Sequence, residues 1–448
     1  MGEDKQSKQD ESLFNRIDHA QSPSRTVESG EGVYLNYSDG TKVMDASGGP
    51  VVVNIGYGRQ EVADAAHEQM SRIAFSYETA IIPELFSRLN KFTPEGMNRY
   101  YPLTGGSEAV EAAIRFARHY HVQTGNPGKY KVIGRWSSYH GYTLGAASVT
   151  GNVLRRAEFE PLLLPFPHID PCYCFRCPFK KTYPDCELLC ATRLEECILQ
   201  AGADTVAAFI AEPIVGASGG CLVPPDDYFK TIREICDRHN VLLIIDEVMT
   251  GFGRTGSKFC IDQFGVIPDM ITTAKGMTSG YAPMGMLIVN ENRMAPIEPR
   301  VSGFGSISTY SYHPVSAAVA CKVLDILEDE ALIERSRTLG EYLFSALDRL
   351  KDHPNVGDIR GRGLFAGVEL VRDKASLAPY EIDAQFGQKV LNICKAKGVS
   401  FYTGGGMAEG LKGDHIMIAP PFVITEEEID TCVDVLQAGI SEAAQALN

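Results

Sequence analysis

The rhythm of apolar and polar positions changes three times along this chain. Residues 1–30 are polar and punctuated by Ser and Pro, so the first dozen are expected to be loose. GEGVYLNYSDGTKVMDAS (30–47) alternates apolar and polar residues about Asp39-Gly40, the pattern of a hairpin. From about Arg59 to Asn90 the apolar positions recur at helical spacing.

In the middle of the chain, short apolar runs alternate with helical stretches. RYYPL (99–103), KYKVIGRW (129–136), TVAAFIAE (205–212), VLLIIDEV (241–248), DMITTAK (269–275) and PMGMLIVN (283–290) read as strands. Helical segments such as DDYFKTIREICDRHN (226–240) lie between several of them. Near-continuous apolar strands separated by helices predict a mostly parallel sheet covered on both faces. Ligands of such sheets bind at the carboxyl ends of the strands.

Beyond about residue 315 the pattern shifts to a long helix with one interruption, then two strands in DIRGRGLFAGVELVRD. A terminal amphipathic helix follows, opened by a Thr425-Glu-Glu-Glu run with the spacing of a capping box. This is a second, smaller α+β unit, which the N-terminal hairpin is expected to join. No internal repeat is evident.

Composition narrows the functions. The chain has 448 residues, 44% of them hydrophobic, and a net charge of −15. That composition suits two or three globular domains rather than a disordered chain. An acidic surface argues against nucleic acid as the main partner. No apolar run is long enough to span a membrane, and MGEDKQSKQDESLF lacks the apolar core of a signal peptide. A cytoplasmic protein with reduced cysteines is therefore expected.

Candidate chemistry sits at the strand ends. In VLLIIDEVMTGFGRTG (241–256) five apolar residues precede Asp246 and Glu247. A buried carboxylate there demands a cation or strong donor, Arg254 being one structural candidate. A second buried strand ends at Ala274-Lys275-Gly276, and a lysine entering a core is uncommon. Gly105-Gly106-Ser107 stands between a strand and a helix, where backbone N–H groups and the helix dipole make an anion site. Each signal alone is also met in purely structural settings. Together they supply a phosphate cradle, an amine for a Schiff base and an acid for a pyridine nitrogen, which is what pyridoxal phosphate needs.

The motifs TGGSEAVEAAIRFAR, SYHGYT, AEPI, LLIIDEVMTGFGRTG, TTAKGMTSGYAPMG, TYSYHP, RGRGLFAGVEL and GDHIMIAPPFVIT occur in order from about Gly32 to Ile440. In these the chain resembles the class III (omega) aminotransferases. The resemblance implies the aspartate-aminotransferase fold (pyridoxal-phosphate fold type I): a large α/β domain with a mostly parallel sheet, plus a smaller α+β domain. The expected division is 1–58 as N-terminal segment and hairpin of the small domain, 59–315 as the large cofactor domain, and 316–448 as the C-terminal small domain.

The resemblance also implies roles. Lys275 would carry pyridoxal 5'-phosphate as a Schiff base and then shuttle protons, and Asp246 would pair with the pyridinium nitrogen. Gly106 and Ser107 would hold the phosphate, Tyr139 and Val248 the two ring faces, and Glu212 a polar network near the phenolic oxygen. Thr309 would reach the phosphate of the neighbouring subunit, which implies a homodimer with shared active sites. The implied reaction moves an amino group from an amine or omega-amino compound to a keto acid, with pyruvate the expected acceptor. A racemase, epimerase or lyase of the same fold would share Lys275, and a non-catalytic or metal-binding module is the rival from another class.

Two departures from the family pattern stand out. The substrate-carboxylate arginine carried by many relatives falls here at Met417 or, in other omega-transaminases, at Gly410, with Lys412 the nearest cation. A lysine keeps the charge but not the bidentate fork. An amine donor without a neighbouring carboxylate is therefore expected. The other departure is PCYCFRCPFKKTYPDCELLC (171–190), with Cys172, Cys174, Cys177, Cys186 and Cys190 after His168. It lacks two clean Cys-x2-Cys knuckles, so packing or occasional disulfides are expected rather than metal.

Overall fold

The computed structural model describes residues 26–297, 308–408 and 411–447. The expected loose first dozen residues lie outside that range, as does Gly410.

Seven strands form the central sheet, in the order Met97–Leu103, Gly285–Asn290, Met270–Thr273, Leu242–Asp246, Val206–Ala211, Lys131–Arg135 and His168–Ile169. Gly285–Asn290 pairs antiparallel with both neighbours, and the pairings from Met270–Thr273 to His168–Ile169 are parallel. The apolar runs follow from the layering. Every residue of Val206–Ala211, Leu242–Asp246, Met270–Thr273 and Gly285–Asn290 is buried. Helices pack on both faces, so neither side of those strands meets water.

The flanking elements follow the same pattern. Helices Gln60–Arg72 and Ile81–Phe92 fill the region of helical spacing. Tyr34–Tyr37 and Lys42–Asp45 form the hairpin about Asp39-Gly40, and Val27–Glu31 adds a third strand. Lys42–Asp45 also pairs parallel with Val399–Ser400, so the hairpin is stitched to the C-terminal part. Pro314–Asp329 and Leu332–Leu347 are the interrupted helix, broken where Ala331 takes a positive φ of 49°. Val356–Gly361 and Ala366–Leu370 are the two expected strands. Glu426–Gln445 closes the chain, with Thr425 and Glu428 exchanging capping bonds of 2.8 and 3.2 Å.

One stretch departs from expectation. The glycine-rich run, absent from the strands read in the sequence, is a hairpin, Tyr402–Ala408 against Lys412–Ile418. Glycine has poor strand propensity, but here close approach requires it. A Cβ on Gly404 would lie 2.6 Å from the Ala217 carbonyl oxygen and 2.7 Å from the His415 ring.

Candidate active site

Four chain segments leaving the carboxyl ends of central strands meet at one cavity of about 190 Å³. Asp246 is the last residue of its strand, and Glu212 follows Val206–Ala211. Lys275 follows Met270–Thr273, and Gly106 opens the helix after Met97–Leu103. Ser107, Tyr139 and Val248 join them, so seven of the eight expected residues line this cavity. The eighth, Thr309, is exposed and does not line it. Its carbonyl oxygen accepts a 3.1 Å bond from the Tyr77 hydroxyl.

Asp246 is 3% exposed, and its carboxylate is held from two sides. His140 Nδ1 lies 2.7 Å from Oδ2, and the Val248 N–H donates to Oδ1 at 3.1 Å. A carboxylate only accepts, so His140 carries its proton on Nδ1. The adjacent Glu247 points to the other side of the strand, as alternation requires. There it accepts from the Thr250 hydroxyl and the Ile261 N–H, and burial pushes its carboxyl up to about 7. Arg254 does not partner the acidic pair. Its guanidinium donates to the carbonyls of Val53, Leu364 and Pro420.

Glu212 accepts from the Tyr139 and Gly216 N–H groups at 3.3 and 3.2 Å. Burial raises its pKa against the opposing pull of His140. Lys275 sits at φ 40°, a left-handed conformation that costs a non-glycine residue energy and clusters at functional sites. Its Nζ donates to the Pro50 carbonyl at 2.9 Å. Burial lowers its pKa to about 8, although Asp246 and Glu212 pull the other way.

The anion end is built from glycine. Helix Gly106–Gln123 points its N-terminus into the cavity, and Ser107 Oγ accepts from the Tyr142 N–H at 3.2 Å. A Cβ on Gly106 would meet both Val248 methyls at 3.1 Å. One on Gly141 would lie 2.5 Å from Ser107 Oγ. Side chains at either position would close the cradle.

A strained lysine, a clamped aspartate and a helix N-terminus around one cavity form an arrangement that also has relatives. Residues 17–440 match the family Aminotransferase class-III. The chain belongs to the class-III aminotransferases. It is 38% identical to the putrescine–pyruvate aminotransferase of Pseudomonas aeruginosa, over 95% of this chain and 92% of that one. It is 34% identical to the diaminobutyrate–2-oxoglutarate transaminase of Halomonas elongata, over 96% and 92%. Among solved structures, a thermostable (S)-enantioselective omega-transaminase from Thermomicrobium roseum superimposes with a TM-score of 0.89. That match has 36% identity and covers 98% and 96% of the two chains.

As a class-III aminotransferase the protein is an enzyme with pyridoxal 5'-phosphate as its cofactor. The cavity fits that group. It offers donors and a helix N-terminus for a phosphate, a buried carboxylate for a ring nitrogen, and an amine within the same space.

The positions expected for a carboxylate-binding arginine hold no guanidinium. Met417 is buried in strand Lys412–Ile418 and brings no charge. Lys412 Nζ donates to Glu381 at 3.0 Å. Sequence reasoning assigned no role to His140, although it lies inside the SYHGYT motif.

Proposed function

We propose that this aminotransferase is an omega-aminotransferase. It takes the amino group from an amine or omega-amino compound and passes it, in a second half-reaction, to a keto acid such as pyruvate. The observation that carries the proposal is the convergence of Lys275, Asp246 and the Gly106–Gln123 N-terminus on one cavity. The absence of a cation at Met417 supports a donor without a carboxylate beside its amine. The Pseudomonas aeruginosa relative, a putrescine–pyruvate aminotransferase, is consistent with it.

When bound, the cofactor supplies an aldehyde that takes up the amino group and a ring that spreads the charge left on the substrate carbon. Lys275 anchors it and moves the proton at the substrate carbon. A buried amine with its pKa lowered to about 8 is free often enough near neutrality to act as that base. Asp246, held by His140 and the Val248 N–H, keeps a proton on the ring nitrogen. Gly106 and Ser107 would hold the phosphate, Tyr139 and Val248 would pack on the ring, and Glu212 would order the polar groups at its edge.

The same proposal includes a homodimer, in which Thr309 serves the neighbouring subunit's phosphate. That role accords with its position outside its own chain's cavity. It also includes the division 1–58, 59–315 and 316–448, and a cytoplasmic setting, which twelve free thiols support. The test is a panel of terminal amines, omega-amino acids and α-amino acids with pyruvate as acceptor. Amines are expected to lead. A strong preference for an α-amino acid over every amine, or a product formed without stoichiometric keto-acid consumption, would overturn the assignment.

A further inference from the structure

A keto-acid acceptor brings a carboxylate to a site whose expected arginine positions hold none. Arg155 meets the need from another direction. It lies in the short helical turn Val153–Arg156, is exposed, and lays its guanidinium over the Tyr139 ring at 4.4 Å from the centroid. Tyr139 itself lines the cofactor cavity. From the other wall Arg155 Nη2 donates to the Tyr402 hydroxyl at 3.1 Å. The guanidinium thus bridges Tyr139, a residue of the cavity wall, to Tyr402 of the glycine-rich hairpin.

Its surroundings leave its charge unmatched. The groups acting on it are the two tyrosines, and among the described residues it has no carboxylate partner. Burial lowers the pKa of both Lys275 and His415, and the field of Arg155 reaches inward to add to both shifts, at His415 after that of Arg360. The neighbouring arginines are occupied. Arg156 donates to the carbonyls of Ala147, Ser148 and Thr150 and to Glu160. Arg254 is consumed by three backbone carbonyls, and Arg360 by Glu369 and Asp358.

We propose that Arg155 is the carboxylate-binding residue for the keto acid, its planar fork leaving the Tyr402 hydroxyl to take the acid's two oxygens. The fork geometry suits a carboxylate, and a hydroxyl is a weak partner to give up. An amine donor without a carboxylate leaves Arg155 on Tyr402, so one cavity serves both half-reactions. This assignment rests on the omega-aminotransferase reading.

The experiment compares wild type with Arg155→Gln and Arg155→Lys. Two acceptors of similar size are used, pyruvate and propanal, and propionate is titrated calorimetrically into the holoenzyme. Loss of a charge-assisted pair predicts that the ratio of kcat/KM for pyruvate over propanal falls roughly 10- to 100-fold in Arg155→Gln, mainly through KM. Propionate affinity falls by a similar factor, and Arg155→Lys recovers part of both. An unchanged ratio, or propionate bound equally by wild type and Arg155→Gln, overturns the assignment. The titration needs no turnover, so it decides the role of Arg155 even if the omega-aminotransferase reading fails. That reading fails separately, by wild type not transferring amino groups from amines.

Discussion

His140 and Asp246, residues each 3% exposed, share a 2.7 Å side-chain hydrogen bond across 106 residues of sequence. The pair joins the loop after Lys131–Arg135 to the end of Leu242–Asp246, so orientation of the acid depends on both strands. His140 Nε2 has no partner among the described residues, which leaves Nδ1 as the working end of the ring.

Asp246→Asn keeps the shape but removes the charge that would retain a proton on the ring nitrogen. Turnover is expected to fall by roughly 100-fold or more, as for loss of a preorganised electrostatic partner. His140→Ala frees Asp246 without neutralising it, and its effect is expected to be smaller, about 10-fold, within the range for one lost hydrogen bond to a charged group. Steady-state kinetics on both variants check the order. Equal rates for Asp246→Asn and wild type would remove Asp246 from the chemistry.

The lowered Lys275 pKa sets a direction for pH. In cofactor-free protein the amine is charged below about 8 and free above it. Because only the free amine attacks an aldehyde, the rate of cofactor capture is expected to rise with pH and level off above that point. Absorbance-monitored reconstitution across pH 6–9.5, a range of roughly two units below to one and a half above the midpoint, reads it. A flat profile, or one falling with pH, would contradict the assignment of Lys275.

Gly106 gives a steric prediction. In Gly106→Ala the new methyl must displace Val248, which it would meet at 3.1 Å. Cofactor affinity is expected to weaken by about 1–3 kcal/mol, the ordinary cost of overpacking. Adding Val248→Ala should recover part of it. Equilibrium titration of the cofactor checks both, and failure of the second substitution to help would place the effect elsewhere.

The cysteine-rich segment yields a prediction of indifference to metal. Cys172 shares thiol hydrogen bonds with Cys174 and Cys190, and all twelve cysteines are free thiols. Among the described residues no group of three His, Cys, Asp or Glu side chains is arranged to hold a metal ion. Dialysis against a chelator is expected to leave turnover and Tm unaltered. Stoichiometric zinc by elemental analysis, with loss of stability on removal, would contradict this.

The parts of the fold that were legible are those where burial dictates residue type. VLLII and VAAFIA are apolar throughout and MITT carries no charge because helices cover both faces of the sheet, and Asp246, Glu212 and Lys275 just beyond them mark the site. The hairpin Tyr402–Ala408 was hidden because its glycines answer to Ala217 and His415, neighbours the chain order does not reveal. Arg155 was hidden for the same reason. Tyr402, its hydrogen-bond partner, lies 247 residues away, and only the folded chain brings the two together. The resting contact of Lys275 with Pro50, 225 residues apart, is a third case.

The most direct test of the central claim is a single half-reaction followed by absorbance. Holoenzyme is mixed with a terminal diamine in the absence of any keto acid. The account predicts loss of the visible absorption of lysine-bound cofactor and release of one aldehyde per active site. Pyruvate should then restore the absorption and yield one alanine, and Lys275→Ala should do neither. Absorption unchanged by every amine, or turnover retained in Lys275→Ala, would contradict it.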